Sequence, residues 1–176
     1  IFDIAQIESG LVSMHHAPVN VNEMLVGLVT FFNLEKGLSG KDDIQIRVSK
    51  ANKDNNFKID TDPKKLRQTI YNLIENSLKY TKEGYIELGY NFIEGSMVEF
   101  YVRDTGIGFD ADLLDVLFKP FRQADDSNSR KFGGIGLGLT LSQKFVEIMG
   151  GKMRADSKPG VGSVFYFTIP YLAETE

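Results

Sequence analysis

The chain has 176 residues, of which 42% are hydrophobic and 25% charged, a composition typical of a folded globular domain and not of a disordered tail. Its formal net charge of -4 argues against a nucleic-acid partner, because such partners select basic surfaces. The sequence contains no cysteine, which excludes disulfides and thiolate chemistry and fits a reducing compartment. No apolar run is long enough to span a membrane, so we expect a cytoplasmic domain without membrane contact of its own.

The first part of the chain predicts two helices separated by a connection. Residues 1–9 carry apolar side chains at helical spacing and predict the end of a helix that begins upstream. A polar connection through Pro18 follows. Asn20 and Glu23 then have the spacing of a capping box, which predicts an amphipathic helix over residues 21–37.

The rest of the chain mixes strands and helices without strict alternation. The predicted elements are strands at 44–48 and 57–59, a helix from Asp62-Pro63 to about Lys82, strands at 85–92 and 97–103, a helix at 139–149, and strands at 153–157 and 163–169. Residues 104–138 form a long glycine-rich and polar stretch, which in a compact domain is typical of a functional or mobile loop. We expect an α+β fold, a two-layer sandwich of a mixed β-sheet with about three helices on one face.

The predicted helix after Asp62 has two chemically different sides. Its apolar side carries Leu66, Ile70, Leu73, Ile74 and Ser77, and its polar side carries Gln68, Asn72, Glu75, Asn76 and Lys79. Most such polar sides are simply solvated. Two asparagines four residues apart are nevertheless poor helix formers, and an amide oxygen suits a Mg²⁺ ion that phosphates already hold. The helix is therefore a candidate ligand site.

Asp104, Gly106 and Gly108 directly follow a predicted strand. Glycines let a ligand approach the backbone, and a carboxylate accepts a hydrogen bond from an exocyclic amine such as that of adenine. A tight turn with an Asp cap is the plain structural alternative. The spacing also matches a dinucleotide-binding fingerprint, but its acidic partner would fall in a polar loop instead of at a strand end, so we reject that interpretation.

Gly134, Gly136 and Gly138 lead into the last predicted helix. Glycines there expose backbone N–H groups at a positive helix end, an arrangement suited to phosphate. A flexible linker is the alternative, although linkers rarely place Ile and Leu between their glycines. No P-loop motif occurs in the sequence. Phe118 and Phe121, in the preceding polar stretch, are either small core contacts or anchors that fold this loop over a ligand.

Four segments, in this order, resemble the N, G1, F and G2 boxes of the sensor histidine kinases: NLIENSLKYT at 72–81, DTGIGF at 104–109, LFKPF at 117–121 and GIGLGL at 134–139. The tail at 158–165 resembles the closing hairpin of the same domain. The resemblance covers essentially the whole chain and implies an ATP-binding sandwich of the GHKL superfamily. It divides the chain into the end of a dimerisation helix with its connector at 1–15 and a catalytic ATP-binding domain at 16–176, with a mobile ATP lid at about 110–133.

The resemblance also implies which residues hold Mg-ATP. Asn76 would ligate Mg²⁺, with Asn72 beside it near the phosphates as a second possible ligand. Asp104 would accept from the adenine amine, with a bridging water that Thr168 shares. The other implied nucleotide contacts are Lys79, Tyr80, Gly106, Gly108, Phe118, Phe121, Arg122, Gly134, Gly136, Leu137 and Gly138.

The same resemblance implies catalytic roles for Asn72, Glu75 and Gln123. Gln123 would lie close to the γ-phosphate, and Glu75 would orient an incoming histidine unless it is a plain solvated side chain. The phosphoacceptor motif of the family is missing, because neither His15 nor His16 fits it.

The chain is thus expected to be a catalytic fragment of a bacterial protein-histidine kinase. It would bind Mg-ATP and transfer the γ-phosphoryl group to a histidine on an absent dimerisation domain. An aspartate on the receiver domain of a response regulator would then take the group in two-component signalling. The full-length protein is expected to form a homodimer through the missing helices and to be anchored in the cytoplasmic membrane.

Two alternatives remain open at this point. GHKL hydrolases, such as the gyrase-like and chaperone-like ATPases, carry a Glu four residues before the Mg-binding Asn. This chain has Asn72 there, and an amide cannot act as a general base. A module that senses nucleotide and regulates a partner without transfer is disfavoured by the complete set of boxes.

Overall fold

The computed structural model describes residues 13–113, Phe118 and residues 136–171, with the backbone alone at residues 136 and 137. Its elements are β1 (Ala17–Asn20), α1 (Val21–Leu38), β2 (Ile44–Ser49), β3 (Lys58–Thr61), α2 (Pro63–Tyr80), β4 (Gly84–Ile93), β5 (Met97–Asp104), α3 (Gly136–Ile148), β6 (Met153–Lys158) and β7 (Gly162–Pro170). Among these helices, none combines the length and the apolar character that crossing a membrane requires.

Five strands form one mixed sheet in the order β2-β4-β5-β7-β6. The β2–β4 pair is parallel, and the other three pairs are antiparallel. β1 and β3 form a separate antiparallel ribbon, in which Val19 lies opposite Ile59. The expectation of a polar connection through Pro18 is therefore wrong, since that residue lies within β1.

Local capping explains where the two long helices begin. The Asn20 side chain accepts from the backbone N–H of Glu23 at 3.0 Å, as its spacing predicts. The Asp62 side chain accepts from the backbone N–H groups of Lys64 and Lys65, both at 3.1 Å. α2 ends at Tyr80, slightly before the predicted end, because the next residue has extended backbone angles.

The core lies between the sheet and the helices. The strand register places Leu88 opposite Val102 and Val102 opposite Phe165, so the apolar side chains of neighbouring strands share one face. The rings of Phe100 and Phe167 stack on that face with centroids 5.1 Å apart. Burying each such side chain contributes about 1.5–3 kcal/mol. The expectation of a two-layer α+β sandwich is confirmed.

The same alternation directs the end of β5 towards α2. Val98, Phe100, Val102 and Asp104 are all buried, while the residues between them are more exposed. Asp104 therefore lies on the face of β5 that packs against the helices, at the last residue of the strand. A carboxylate at that position lies beside the last turns of α2, because Ser77 contacts it directly.

Candidate functional site

Asp104 is held by neutral hydrogen-bond donors. The Ser77 hydroxyl donates to Oδ2 at 3.0 Å, and the backbone N–H groups of Gly106 and Ser163 donate to Oδ1 at 2.9 and 3.3 Å. The side chain is buried, with 6% of the residue exposed. Burial raises the pKa of the Asp104 carboxyl above its ordinary value, although these three hydrogen bonds partly offset the rise.

The hydrogen-bond inventory of this carboxylate leaves one acceptor position. Oδ1 accepts two backbone donors, whereas Oδ2 accepts from Ser77 alone within the described part of the chain. An ionised carboxylate cannot donate, so Oδ2 is suited to a further N–H or O–H donor. An exocyclic amine on a flat base has this property.

Gly106 lies where several oxygens converge. A Cβ at Gly106 would lie 2.5 Å from the Tyr80 carbonyl oxygen, 2.8 Å from Thr81 Oγ1 and 3.0 Å from Asp104 Oδ1. The Tyr80 carbonyl also accepts from the N–H of Ile107 at 3.1 Å. A side chain at Gly106 would displace these groups, so the packing of the protein itself requires glycine there.

Gly108 is explained by packing within the protein. Its φ of +62° is in the left-handed region, and a Cβ there would lie 2.1 Å from the Lys158 carbonyl oxygen. The neighbouring N–H of Phe109 donates to Ser157 at 2.9 Å, which fastens the loop to the β6–β7 hairpin. This contact with the hairpin is a structural reason for glycine at position 108, and the expectation that Gly108 gives a base room stays a prediction.

Asn72 is buried between two helices. Its Nδ2 donates to the Gly138 carbonyl at 3.2 Å and to the Ser142 hydroxyl at 3.1 Å, and its Oδ1 accepts from Gln68 at 2.8 Å. The alternative of a solvated face is therefore wrong for Asn72, which is 7% exposed. Because its oxygen already has a donor, the geometry does not favour it as a second Mg²⁺ ligand.

Asn76 lies one turn further along α2 and is half-buried, while Glu75 and Lys79 are exposed. The Lys79 ammonium lies 5.5 Å from the centre of the Tyr80 ring. In residues 13–113, 118 and 136–171, no group of three or more His, Cys, Asp or Glu side chains could hold a metal ion. A Mg²⁺ ion at Asn76 would therefore rely on one neutral amide oxygen and on oxygens of the ligand, which is how Mg²⁺ often binds with nucleotides.

Thr168 lies away from Asp104, contrary to the expectation that the two share a water. The register pairs Asp104 with Ser163, and Thr168 lies opposite Glu99, about 16 Å along the sheet at the rise of a strand. Its side chain also falls on the opposite face from the buried Phe167 and Ile169. Ser163, not Thr168, is the β7 residue beside Asp104, to which its backbone N–H donates.

The remaining predicted site residues are partly described. Phe118 is half-buried and packs against the core, and Gly136, Leu137 and Gly138 form the first turn of α3. Phe121, Arg122, Gln123 and Gly134, with most of the expected lid, lie outside the described residues.

Comparison with known proteins shows the family of the chain. The model of the family "Histidine kinase-, DNA gyrase B-, and HSP90-like ATPase" matches residues 61–173, so the chain belongs to that family of ATPase domains. Within the family, its curated relatives are sensor histidine kinases, which confirms the resemblance read from the four boxes. The chain is a domain of the kind that binds ATP in histidine kinases.

Three relatives illustrate the extent of the similarity. The sensor protein GacS of Pseudomonas syringae pv. syringae is 36% identical over 173 residues, which cover 96% of this chain and 19% of the relative. LuxQ of Vibrio vulnificus (strain YJ016), an autoinducer 2 sensor kinase/phosphatase, is 34% identical over 178 residues, which cover 97% of this chain and 20% of the relative. Full-length ShkA, solved in complex with AMPPNP, superposes with a TM-score of 0.83 at 26% identity, covering 99% of this chain and 35% of ShkA. The chain thus spans about a fifth of the length of these curated relatives.

Proposed function

We propose that the chain binds Mg-ATP and transfers its γ-phosphoryl group to a histidine on a dimerisation domain of the same protein. The group would pass onward to an aspartate on a response-regulator receiver domain. The observation that carries the proposal is the Asp104 carboxylate, which is buried, held by neutral donors and left with an acceptor position on Oδ2. That ShkA was solved in complex with AMPPNP supports a nucleotide as the ligand of this domain.

In this proposal, different residues bind the base and the phosphates of the nucleotide. Asp104 accepts from the adenine amine, and Tyr80 flanks the base. Asn76 offers its amide oxygen to Mg²⁺ and Lys79 offers its ammonium to a phosphate. When bound, Mg²⁺ supplies neutralisation of charge on the transferring phosphoryl group. Because phosphoryl transfer depends mainly on positioning and charge, the domain needs no strong base of its own.

The attacking group in this proposal is a neutral imidazole presented by the dimerisation domain. Glu75 is exposed on α2 and is free to orient that imidazole. Gln123 is proposed to approach the γ-phosphate from the lid. The wider setting is a proposal of the same kind: a cytoplasmic catalytic domain in a homodimer formed through the preceding helices, anchored in the cytoplasmic membrane.

The geometry of Asn72 disfavours hydrolysis as the main activity. A hydrolase of this superfamily needs a carboxylate at this position to activate water. The Asn72 side chain is an amide whose oxygen and nitrogen both have partners, so it neither accepts a proton nor lies free beside a water. We therefore place transfer to histidine ahead of transfer to water.

The proposal is tested by mixing the chain, the dimerisation segment that precedes it and ATP labelled on the γ-phosphate. We expect acid-labile label on a histidine of that segment, which then moves to a receiver domain. Asp104→Asn is the matched weak-binding control and, at ATP concentrations that do not saturate it, should label the segment less than the wild-type chain does. Free labelled phosphate without labelled protein would instead identify a hydrolase, and nucleotide binding with neither product would identify a sensing module.

A further inference from the structure

Lys65 is a buried lysine in the first turn of α2, and none of the proposed nucleotide contacts involves it. The residue is 8% exposed, although a lysine ammonium normally stays in water. Its Nζ donates to Asp62 Oδ2 at 2.8 Å and to the backbone carbonyl of Ser13 at 2.9 Å. The centre of the Phe145 ring in α3 lies 5.9 Å from the same ammonium. A buried ion pair often adds no stability over apolar side chains of similar volume, so this pair calls for another explanation.

The carbonyl that Lys65 binds belongs to a short stretch before β1, residues 13–16, which we call the junction segment. This segment has no regular secondary structure, and β1 begins at the next residue. The His15 N–H donates to Asp62 Oδ2 at 3.0 Å, and the Met14 side chain packs against the core. The same carboxylate oxygen therefore accepts from the junction segment and from Lys65.

One ion pair thus holds the junction segment on both sides of Met14. Lys65 binds the carbonyl that precedes Met14, and Asp62 binds the N–H that follows it. Hydrogen bonds to ionised groups are roughly twice as strong as neutral ones, and the pKa of Asp62 is lowered to about 2, so the pair stays ionised at neutral pH. A further contact, His16 to Asp60 at 3.3 Å, joins exposed side chains and contributes little.

The position of the junction segment decides how the catalytic domain reaches a tethered substrate. By the proposed function, the accepting histidine lies in a dimerisation segment upstream, so the covalent route to it passes through residues 13–16. Release of these four residues would lengthen the tether by up to about 14 Å. Because a longer flexible tether lowers the effective concentration of the groups it joins, an anchored junction segment favours the encounter.

We propose that Lys65 is a positioning residue for phosphoryl transfer. With Asp62 it anchors the junction segment to the start of α2, and so sets the point from which the domain is tethered to the accepting histidine. Lys65 lies about 16 Å along α2 from Asn76, so the anchor acts on the approach of the two domains and not on nucleotide binding. The inference rests on the proposed function, since it requires transfer to a histidine of the same protein.

The test compares transfer to a tethered histidine with transfer to a separate one. The tethered form is this chain extended upstream through its dimerisation segment, and the separate form is this chain mixed with that segment as a second polypeptide. Both receive saturating ATP labelled on the γ-phosphate. Lys65→Met, which removes the ammonium, should slow labelling of the tethered form at least about threefold. Labelling of the separate segment and affinity for ADP should stay within about twofold of the wild-type values.

Matched variants isolate the anchor from other effects of substitution. Lys64→Met makes the same change at the next residue, which is exposed, and should match the wild-type chain in all three measurements. Lys65→Arg keeps a cation with several donors and should retain most of the tethered rate. His15→Pro removes the N–H that Asp62 accepts and should slow the tethered form as Lys65→Met does, whereas His15→Ala keeps that N–H and the wild-type rate.

A purely structural role for Lys65 would give a different pattern. Equal slowing of the tethered and separate forms by Lys65→Met, or a tethered rate that is unchanged or raised, would overturn the inference. If Lys65→Met binds no ADP, it has not folded, and the same comparison for His15→Pro decides. Label on the separate segment from the wild-type chain keeps the proposed function standing in either case, and no label on either form of the wild-type protein would overturn that function as well.

Discussion

The side-chain amide of Asn72 in α2 donates to the backbone carbonyl of Gly138 in the first turn of α3, across 3.2 Å. The same nitrogen donates to Ser142, one turn further along α3. Asn72 thus joins the helix that carries the candidate Mg²⁺ ligand to the helix that follows the glycine-rich segment. One side chain therefore links, through two hydrogen bonds, the two helices that border the proposed phosphate site.

Asn72→Asp should destabilise the domain by at least about 2 kcal/mol, because a buried carboxylate would face the Gly138 carbonyl without a proton to donate. Urea unfolding of the nucleotide-free protein measures the loss. Asn55→Asp makes the same chemical change at an exposed position and should change the free energy of unfolding by less than about 0.5 kcal/mol. Equal stability of the two variants would show that the helix-to-helix contact contributes nothing.

Asp104→Asn should separate stability from binding. Because the folded protein raises the pKa of this carboxyl, its ionised form costs stability at neutral pH, and the amide should unfold at the same or a higher temperature. Affinity for ADP should fall by about 1.5–3 kcal/mol, the range for a hydrogen bond to a charged group.

Two measurements complete the Asp104 comparison. Thermal unfolding gives the stability of each form without nucleotide, and calorimetry gives the affinities for ADP and GDP. GDP should bind the wild-type chain poorly, because guanine lacks the amine at that position. Equal affinities for ADP and GDP would remove Asp104 from the base site.

Asn76→Ala should abolish most of the Mg²⁺ dependence of ATP binding. Asn76 is half-buried on α2 and supplies the neutral oxygen proposed for the ion. Calorimetric titrations with and without Mg²⁺ measure the difference in affinity, and Arg67→Ala, at an exposed position of the same helix, serves as the comparison. If the Mg²⁺ dependence survives in Asn76→Ala, a residue other than Asn76 ligates the ion.

The ionised Asp62 carboxylate should stabilise the folded protein, and this stabilisation should be lost at strongly acidic pH. Burial alone would raise its pKa, but hydrogen bonds from the Lys65 ammonium and from the backbone N–H groups of His15 and Lys65 lower the pKa to about 2. Since the folded pKa lies below the ordinary value of 3.8, the contribution is complete above about pH 4 and is lost as the pH falls towards 2. It amounts to about 2 kcal/mol.

Urea unfolding at pH 7, 4 and 2.5 measures this contribution of Asp62. The wild-type chain should lose more stability over the lowest step than Asp62→Asn, which has no carboxylate to protonate. Parallel stability curves for the two proteins would show that the ion pair between Asp62 Oδ2 and Lys65 Nζ, 2.8 Å apart, contributes nothing to stability.

The long helices and the five central strands could be predicted because their signals are local. Asn20 and Asp62 mark helix starts through their own side chains, and alternation marks the strands. β1 could not be predicted, since a four-residue strand has almost no periodicity and its partner β3 lies beyond α1 and β2 in the chain. Its hydrogen bonds are a property of the tertiary fold.

The site was predicted from its motifs only in part. Asp104 and Asn76 stand out by residue type and position, whereas the Ser77 hydroxyl becomes relevant only when α2 meets the end of β5. Ser77 did give a signal, because it lies among apolar residues on one side of α2, where a hydroxyl needs a partner. The error at Thr168 came from register, which the sequence of one strand does not specify.

The most direct test of the central claim is a crystal structure of this chain with Mg-AMPPNP. The account predicts the adenine amine within hydrogen-bond distance of the Asp104 carboxylate and the metal on the Asn76 amide oxygen. An empty crevice, or a base and a metal bound in different cavities, would contradict it.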